Sequence, residues 1–411
     1  MRREQFELFK KMLKKLNENS PFYKEKFRSS QININDIRSP EDIKYLPFTT
    51  KEELNEAYPL GLQAVPEEDI VRIHSSSGTT GKPVIIPYTA NDINDWADMM
   101  ARCLRIAGVT PLDRVQITPG YGLWTAGIGF QTGVERIGAM AIPMGPGNTD
   151  KQLQMMIDMK STVLIATSSY ALVIAEEVAK RGIRSKIHLR KGIMGSERWG
   201  EKMRNRIKDE LNIEIYDIYG LTEIYGPGIS IDCQYHTGLH YWDDYLYFEI
   251  IDPKTGEPVE EGQYGELVIT TLRKEGAPLL RYRTRDITRL IPGECPCGLP
   301  YPRHDRILGR TDEMVKVKGV NIYPGQIDEL LRDIEGASSE YQVIIEHKDG
   351  KDIMTLRVEK EPAADPTALG RKIAEEFKKK IGIHIQVDVV NIGELPRSEK
   401  KSKRIIDYRY N

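Results

Sequence analysis

From about residue 84 onward, short apolar runs alternate with helical ones, and no other feature limits the fold of this chain so much. Residues 113–118 and 161–166 have the length and composition of strands, while residues 151–160 and 170–181 carry helical spacing. Strands separated by helices predict an α/β fold with mostly parallel, helix-covered sheets. A parallel pair needs a crossover connection, and the crossover helix packs on the sheet face. The pattern changes at about Leu239. Residues 240–251 and 265–271 read as strands around the turn Asp252-Pro253-Lys254-Thr255-Gly256, which predicts a β-subdomain. From Met314 a compact α+β segment follows, with helices over 329–334 and 367–380 and strands over 341–346 and 355–359. Ahead of these, Phe6, Leu8, Phe9, Met12, Leu13 and Leu16 give helical periodicity from about residue 4 to 27, punctuated near Pro21. A chain of 411 residues is too long for one ordinary core. Two domains are expected, 1–311 and 312–411, parting near Gly309-Arg310-Thr311-Asp312.

Composition narrows the class. Hydrophobic residues at 40% and charged residues at 29% describe a soluble globular protein. A net charge of −2 gives no electrostatic pull towards nucleic acid or an anionic membrane. No apolar run approaches bilayer length, and Met1-Arg2-Arg3-Glu4-Gln5 leads into a charged amphipathic helix rather than a signal core. A cytoplasmic location is expected. Four cysteines are too few for a disulfide scaffold.

The chemistry starts at Ser75-Ser76-Ser77-Gly78-Thr79-Thr80-Gly81-Lys82-Pro83. Small residues let backbone N–H groups approach an anion, the hydroxyls add donors, and Lys82 adds charge, so the loop reads as a polyphosphate clamp for ATP. It is not the P-loop of kinases and GTPases. That motif puts four residues between its glycines, whereas here Thr79 and Thr80 alone intervene, and Pro83 stands where a metal-binding hydroxyl would be. Strand-like runs flank the loop at 71–74 and 84–88.

At these residues the chain resembles the adenylate-forming superfamily of acyl-CoA synthetases, peptide-synthetase adenylation domains and luciferases. More narrowly it is similar to the phenylacetate–CoA ligase branch, over nearly the whole chain as far as Arg404. The resemblance implies a large adenylating domain with a small mobile C-terminal lid. Forming an acyl-adenylate calls for a carboxylate to hold Mg²⁺, donors for the α-phosphate and a flat surface for adenine. Within Tyr216-Asp217-Ile218-Tyr219-Gly220-Leu221-Thr222-Glu223, the family assigns those roles to the positions of Glu223, Thr222 and Tyr219, with Asp217 and Gly220 in the same nucleotide-binding motif. Gly195-Ser196-Glu197 resembles the adenine-side loop. Asp286, amid Arg281, Arg283 and Arg285, is the residue the family would give to the ribose diol, partnered by Arg310. A structural Asp–Arg network is the alternative for the three arginines. Asp312 matches the hinge about which the lid rotates. The 395–404 segment resembles the catalytic lysine loop; Lys401 aligns best, with Lys400 and Lys403 as competitors.

Thr118-Pro119-Gly120-Tyr121-Gly122-Leu123-Trp124-Thr125-Ala126-Gly127 resembles the lining of the branch's aryl-acid pocket, where Tyr121, Gly122, Trp124 and Ala126 would meet the acid. The family often has Phe and Gly where Trp124 and Ala126 stand, so a reshaped cavity is expected. Cys295-Pro296-Cys297-Gly298 forms a tight knuckle, and Cys233 could join it. Three thiolates and an imidazole satisfy zinc. His240, at a position matched in the family, is the expected fourth ligand of a structural Zn²⁺, with His236 as the alternative; buried free thiols are the competing reading. Cys103 reads as core. Taken together, the resemblance implies an AMP-forming acyl-CoA ligase for an aromatic or small organic acid, using ATP, Mg²⁺ and coenzyme A, as a homodimer. Two rivals are an enzyme loading a carrier-protein thiol and a non-catalytic nucleotide-binding homologue.

Overall fold

The computed structural model describes residues 1–76, 82–348, 351–397 and 404–409. Its residues form two compact units, Met1–Gly145 with Tyr216–Arg306, and Pro146–Ile215 with Ile307–Asn411.

In the first unit, helix Arg3–Asn19 buries Phe6, Phe9, Met12, Leu13 and Leu16 along one face. It stops at Ser20, whose hydroxyl caps the next helix, Pro21–Ser29, with Pro21 in the first turn, where its missing N–H costs nothing. Helix Ala90–Ile106 starts at a reciprocal cap between Thr89 and Asp92 and buries Trp96, Met100, Cys103 and Leu104. It packs on the glycine-rich helix Thr125–Arg136. A Cβ on Gly129 would lie 2.2 Å from the Trp96 ring, so only glycine permits this approach. Strands Arg72–Ser75 and Ile85–Tyr88 pair antiparallel, and Arg114–Ile117 pairs parallel with Met140–Pro143. Strands Glu214–Leu221, Gly226–Asp232, Leu239–Tyr241, Arg303–His304 and Leu290–Ile291 continue as an antiparallel ladder. Leu246–Ile251, Gly265–Thr271 and Tyr282–Thr288 make a second antiparallel sheet, the expected β-subdomain. The single strand expected over 240–251 is in fact two strands, because residues 242–245 turn and send the two halves into different sheets.

In the second unit, parallel strands Val163–Thr167 and Lys191–Gly195 are joined by helix Ser168–Arg181. Thr167 caps its start, and Gly182, at φ +62°, ends it. Together with helix Glu201–Leu211 these elements enclose a core of Leu164, Tyr170, Ile174, Met194 and Ile207. The C-terminal part is a four-stranded sheet ordered Gln386–Asn391, Lys351–Lys360, Ala337–Lys348, Ile405–Asp407. Helices Pro324–Arg332 and Pro366–Ile381 pack on it through Leu330, Leu331, Ile373 and Phe377. The first of these begins five residues earlier than expected at 329–334, with Pro324 in its first turn.

Candidate active site

The strand Arg72–Ser75 leads into the segment expected to clamp phosphate, and Ile85–Tyr88 follows it. Ser76 closes the mouth: its N–H donates to the Val84 carbonyl at 3.0 Å, and its hydroxyl accepts from the Val84 N–H at 3.0 Å. The Ser75 hydroxyl donates to the Ser76 carbonyl (2.9 Å), and the exposed Lys82 ammonium lies over the Tyr58 ring. Ser77, Gly78, Thr79, Thr80 and Gly81 lie outside the described residues, as do Lys400, Lys401 and Lys403.

The Leu123 carbonyl accepts from the Ser75 N–H (2.9 Å) and faces His74 Nδ1 (3.2 Å), so the aromatic loop abuts the strand Arg72–Ser75. Trp124 and Gly122 are exposed, Ala126 is half-buried, and the Tyr121 hydroxyl is buried with no partner among the described residues.

The hairpin from Glu214–Leu221 to Gly226–Asp232 carries several of the residues expected to bind the nucleotide. The Tyr219 hydroxyl donates to Asp286 Oδ2 at 2.6 Å, joining the expected adenine and ribose positions across two sheets. Asp217 is anchored through its N–H to Asp232 Oδ1 (2.9 Å). A Cβ on Gly220 would sit 2.1 Å from the Gly226 carbonyl oxygen, so glycine is obligatory where this hairpin bulges. At the turn, Thr222 Oγ1 lies 3.3 Å from Thr125 Oγ1, and the buried Glu223 carboxylate pairs with Lys51. Two groups fix the backbone of that turn. The Tyr88 hydroxyl donates to the Tyr225 carbonyl (3.0 Å), and the Lys274 ammonium donates to the Ile224 carbonyl while lying over the Tyr88 and Tyr225 rings. Burial pushes Lys274 down to about 7.

The three arginines around Asp286 hold structure through glutamates. Arg281 pairs with buried Glu249, Arg283 with Glu266, and Arg285 with Glu52. In the second unit Gly195 ends a strand, Ser196 follows at φ +71°, and Glu197 accepts from the Ser169 N–H (2.7 Å) at the start of helix Ser168–Arg181. A carboxylate is favoured at that helix N-terminus. Arg310 forms a two-pronged bond to Asp312 at 2.9 and 3.0 Å.

Lys51, Lys274 and Tyr88 were not among the expected site residues. One signal for Lys51 existed: it opens helix Lys51–Glu56, where the helix dipole disfavours a cation, so its ammonium needs an anionic partner elsewhere.

The cysteines converge. One ligand atom from each of Cys233, His240, Cys295 and Cys297 lies within 4.8 Å of the others. Cys233 and Cys295 sulfurs are 3.7 Å apart; a tetrahedral metal with bonds of about 2.3 Å to sulfur would set its ligands about 3.8 Å apart. His240 Nδ1 donates to the Tyr301 carbonyl (3.0 Å), which leaves Nε2, 3.3 Å from Cys297 Sγ, with its lone pair directed into the cluster. Burial raises the Cys233 thiol. At Cys295 burial acts the same way, but the Cys297 backbone N–H and neighbouring hydrogen bonds outweigh it and favour thiolate. His236 turns away, its Nδ1 2.8 Å from Asp232 Oδ2. Cys103 is buried on its helix.

Behind Tyr219 lies His304, edge-on at 5.5 Å, with Nδ1 donating to the Asp305 carbonyl and Nε2 2.7 Å from the Ser230 hydroxyl. Burial pushes His304 and His74 down to about 4 each. Between pH 6.5 and 4 the unfolded chain therefore binds protons that the folded chain refuses, and stability falls as pH drops through that window. The slope is at most about 1.4 kcal/mol per pH unit for each histidine. Urea midpoints are expected to fall between pH 6.5 and 5.0, above the main carboxylate range; a constant midpoint would contradict the burial of both rings.

Comparison with known proteins adds the following. The AMP-binding enzyme family matches residues 14–272, and the AMP-binding enzyme C-terminal domain matches 319–409. Phenylacetate-coenzyme A ligase of Escherichia coli (strain K12) is 42% identical over 406 residues, covering 97% of this chain and 92% of the relative. The enzyme of the same name from Thermus thermophilus is 38% identical, covering 100% and 97%. Among solved structures, 2-hydroxyisobutyryl-CoA ligase in its postadenylation state superposes with a TM-score of 0.89 at 27% identity, covering 99% of this chain and 89% of that one. The same ligase in its thioesterification state gives 0.72 at 27% identity, covering 98% and 89%. Among the described residues no helix is long and apolar enough to cross a membrane.

Proposed function

The chain belongs to the AMP-binding enzyme family, and from that membership we propose that it acts as an ATP-dependent acyl-CoA ligase on an aromatic or small organic acid of the phenylacetate type. The acid's carboxylate attacks the α-phosphorus of ATP, giving acyl-adenylate and pyrophosphate. The thiol of coenzyme A then attacks the acyl carbon, loses its proton, and leaves thioester and AMP. The observation that carries this reading is one hairpin holding Tyr219, bonded to Asp286, and the buried Glu223 within three residues of its turn.

In this reading Tyr219 offers its ring to adenine and Asp286 accepts from the ribose diol, with Arg310 and the Gly195-Ser196-Glu197 loop beside the nucleotide. Asp217 and Gly220 hold the strand in place. Thr222 donates to the α-phosphate, and Ser75 to Lys82 cradle the outer phosphates. Lys401 reaches the α-phosphate as charge develops on it. Glu223 would hold Mg²⁺: it is a buried carboxylate already matched by an ammonium, so its setting selects for a cation. Bound there, the metal would draw charge from phosphate oxygens. Tyr121, Gly122, Trp124 and Ala126 line the acid site, where the Tyr121 hydroxyl is available to a polar group of the substrate. The functional boundary falls at 311/312 with Asp312 as hinge, and the protein works as a cytoplasmic homodimer, whose mass light scattering checks.

The test is pyrophosphate–ATP exchange across a panel of acids, followed by mass spectrometry of products with coenzyme A as sole thiol. No exchange with any acid would overturn the reading; exchange with transfer only to a carrier-protein thiol would replace the acceptor.

Cys233, His240, Cys295 and Cys297 are proposed to hold one structural zinc, supported by the convergence of their ligand atoms and by the 3.7 Å separation of the Cys233 and Cys295 sulfurs. Elemental analysis of protein purified in metal-free buffer is expected to find about one zinc per chain, and its removal to lower Tm with kcat little changed. Metal-free protein of unaltered Tm would remove the zinc.

A further inference from the structure

The two family modules, matched separately at 14–272 and 319–409, supply segments to one compact unit: 146–215 from the first and all of the second. Among the described residues of that unit, side chains from three places join the modules. Arg198 pairs with Asp328 and reaches the Tyr341 hydroxyl as well, and Lys202 donates to the carbonyls of Ile334 and Ala337. The third is different, because it stands next to the lysine segment. Arg397 Nη2 donates to Glu176 Oε1 at 2.8 Å, with Nε 3.1 Å from Oε2, while its other side grips Glu359 at 2.8 and 2.9 Å. Glu359 is fully buried and also accepts from the N–H groups of Gly393 and Leu395. Arg397 is therefore fixed within its own module by Glu359 and, among the described residues, tied to the other module by Glu176. At the far end of the 398–403 segment, Arg404 pairs with Glu340, again inside the C-terminal module.

A contact within a module survives any rearrangement of the two, whereas a contact between them exists in one arrangement. A ligase at 27% identity has been captured in a postadenylation state and in a thioesterification state. We propose that Glu176, on helix Ser168–Arg181, is a positioning residue for adenylation: through Arg397 it sets where the segment carrying Lys401 begins relative to the Gly195-Ser196-Glu197 loop of the same unit, and it has no part in thioester formation. This rests on the reading above that Lys401 serves the first half-reaction. Glu176 has a second partner, Arg206 Nη2 at 2.7 Å, on helix Glu201–Leu211 within its own module. That partner supplies the control.

The experiment measures both half-reactions separately in wild type, Glu176→Gln and Arg206→Gln. Pyrophosphate–ATP exchange reads adenylation, and conversion of supplied acyl-adenylate with coenzyme A reads the second step. Glu176→Gln is expected to lower exchange about tenfold, equivalent to about 1.4 kcal/mol of barrier, with thioester formation unchanged, and Arg206→Gln to leave both near wild type. Equal loss in both steps, an unchanged exchange rate, or the same selective loss in Arg206→Gln would overturn the role of Glu176. Absence of exchange in the wild type with every acid would instead bring down the ligase reading, and this inference with it.

Discussion

Replacing Glu223 by glutamine is expected to slow adenylate formation by about two orders of magnitude and to raise the Mg²⁺ concentration needed for half-maximal rate. Glutamine keeps the shape of the side chain and removes its charge. A hard divalent cation held there would meet a neutral carbonyl in place of a carboxylate, and the electrostatic stabilisation of charge on the phosphates would fall by about 3 kcal/mol. The substitution also leaves Lys51 without its anion. Lys51 is about one-third exposed, so water takes over part of that role and the fold should survive. Thermal melting separates the two effects. A Tm within a few degrees of wild type, together with a raised Mg²⁺ requirement, supports metal binding at Glu223. A large loss of Tm with an unchanged Mg²⁺ requirement would make Glu223 a structural partner of Lys51 and nothing more.

What could be read from the chain beforehand divides along physical lines. Elements governed by local signals were legible: Thr167 and Gly182 bracket the helix expected at 170–181, and apolar runs marked the strands around it. The motif residues stood out because hydroxyls, glycines and acids occur there in an unusual order, while their roles came from the family resemblance and stand as the proposal above. Local signals failed where aromatic residues masked a turn. Tyr241, Trp242, Tyr245 and Tyr247 made 240–251 look like one strand, although Asp243 and Asp244 sit in the turn that divides it. The early start of helix Pro324–Arg332 was missed although proline in a first turn is a start signal. Non-local partners were out of reach altogether. Lys51 lies 172 residues from Glu223, and Lys274 lies 50 from Ile224, so no spacing rule could join them. The choice between His240 and His236 was of the same kind. It depends on strand register, which directs His240 to the cysteines, and on a left-handed turn at φ +50°, which commits His236 to Asp232.

Lys401→Ala is expected to abolish most adenylation, by about a hundredfold, while acyl-adenylate supplied from outside is still converted to thioester. The asymmetry follows from where charge appears. In the first step negative charge builds on the α-phosphate oxygens as pyrophosphate departs, and a primary ammonium placed there lowers the barrier by about 3 kcal/mol. In the second step the bond that breaks joins the acyl carbon to an oxygen of an AMP that already exists, and a lysine carried on a lid segment need not remain beside it. Lys400 and Lys403 carry the same ammonium on the same short segment, between Arg397, held by Glu359, and Arg404, held by Glu340. One ammonium suffices to meet the charge on the α-phosphate, so a single alanine substitution should account for nearly the whole loss. If Lys400→Ala or Lys403→Ala gives the hundredfold fall instead, the assignment moves to that residue. If Lys401→Ala slows both half-reactions equally, no lysine of the segment is singled out by the charge of the first transition state, and the segment acts by holding the lid rather than by chemistry.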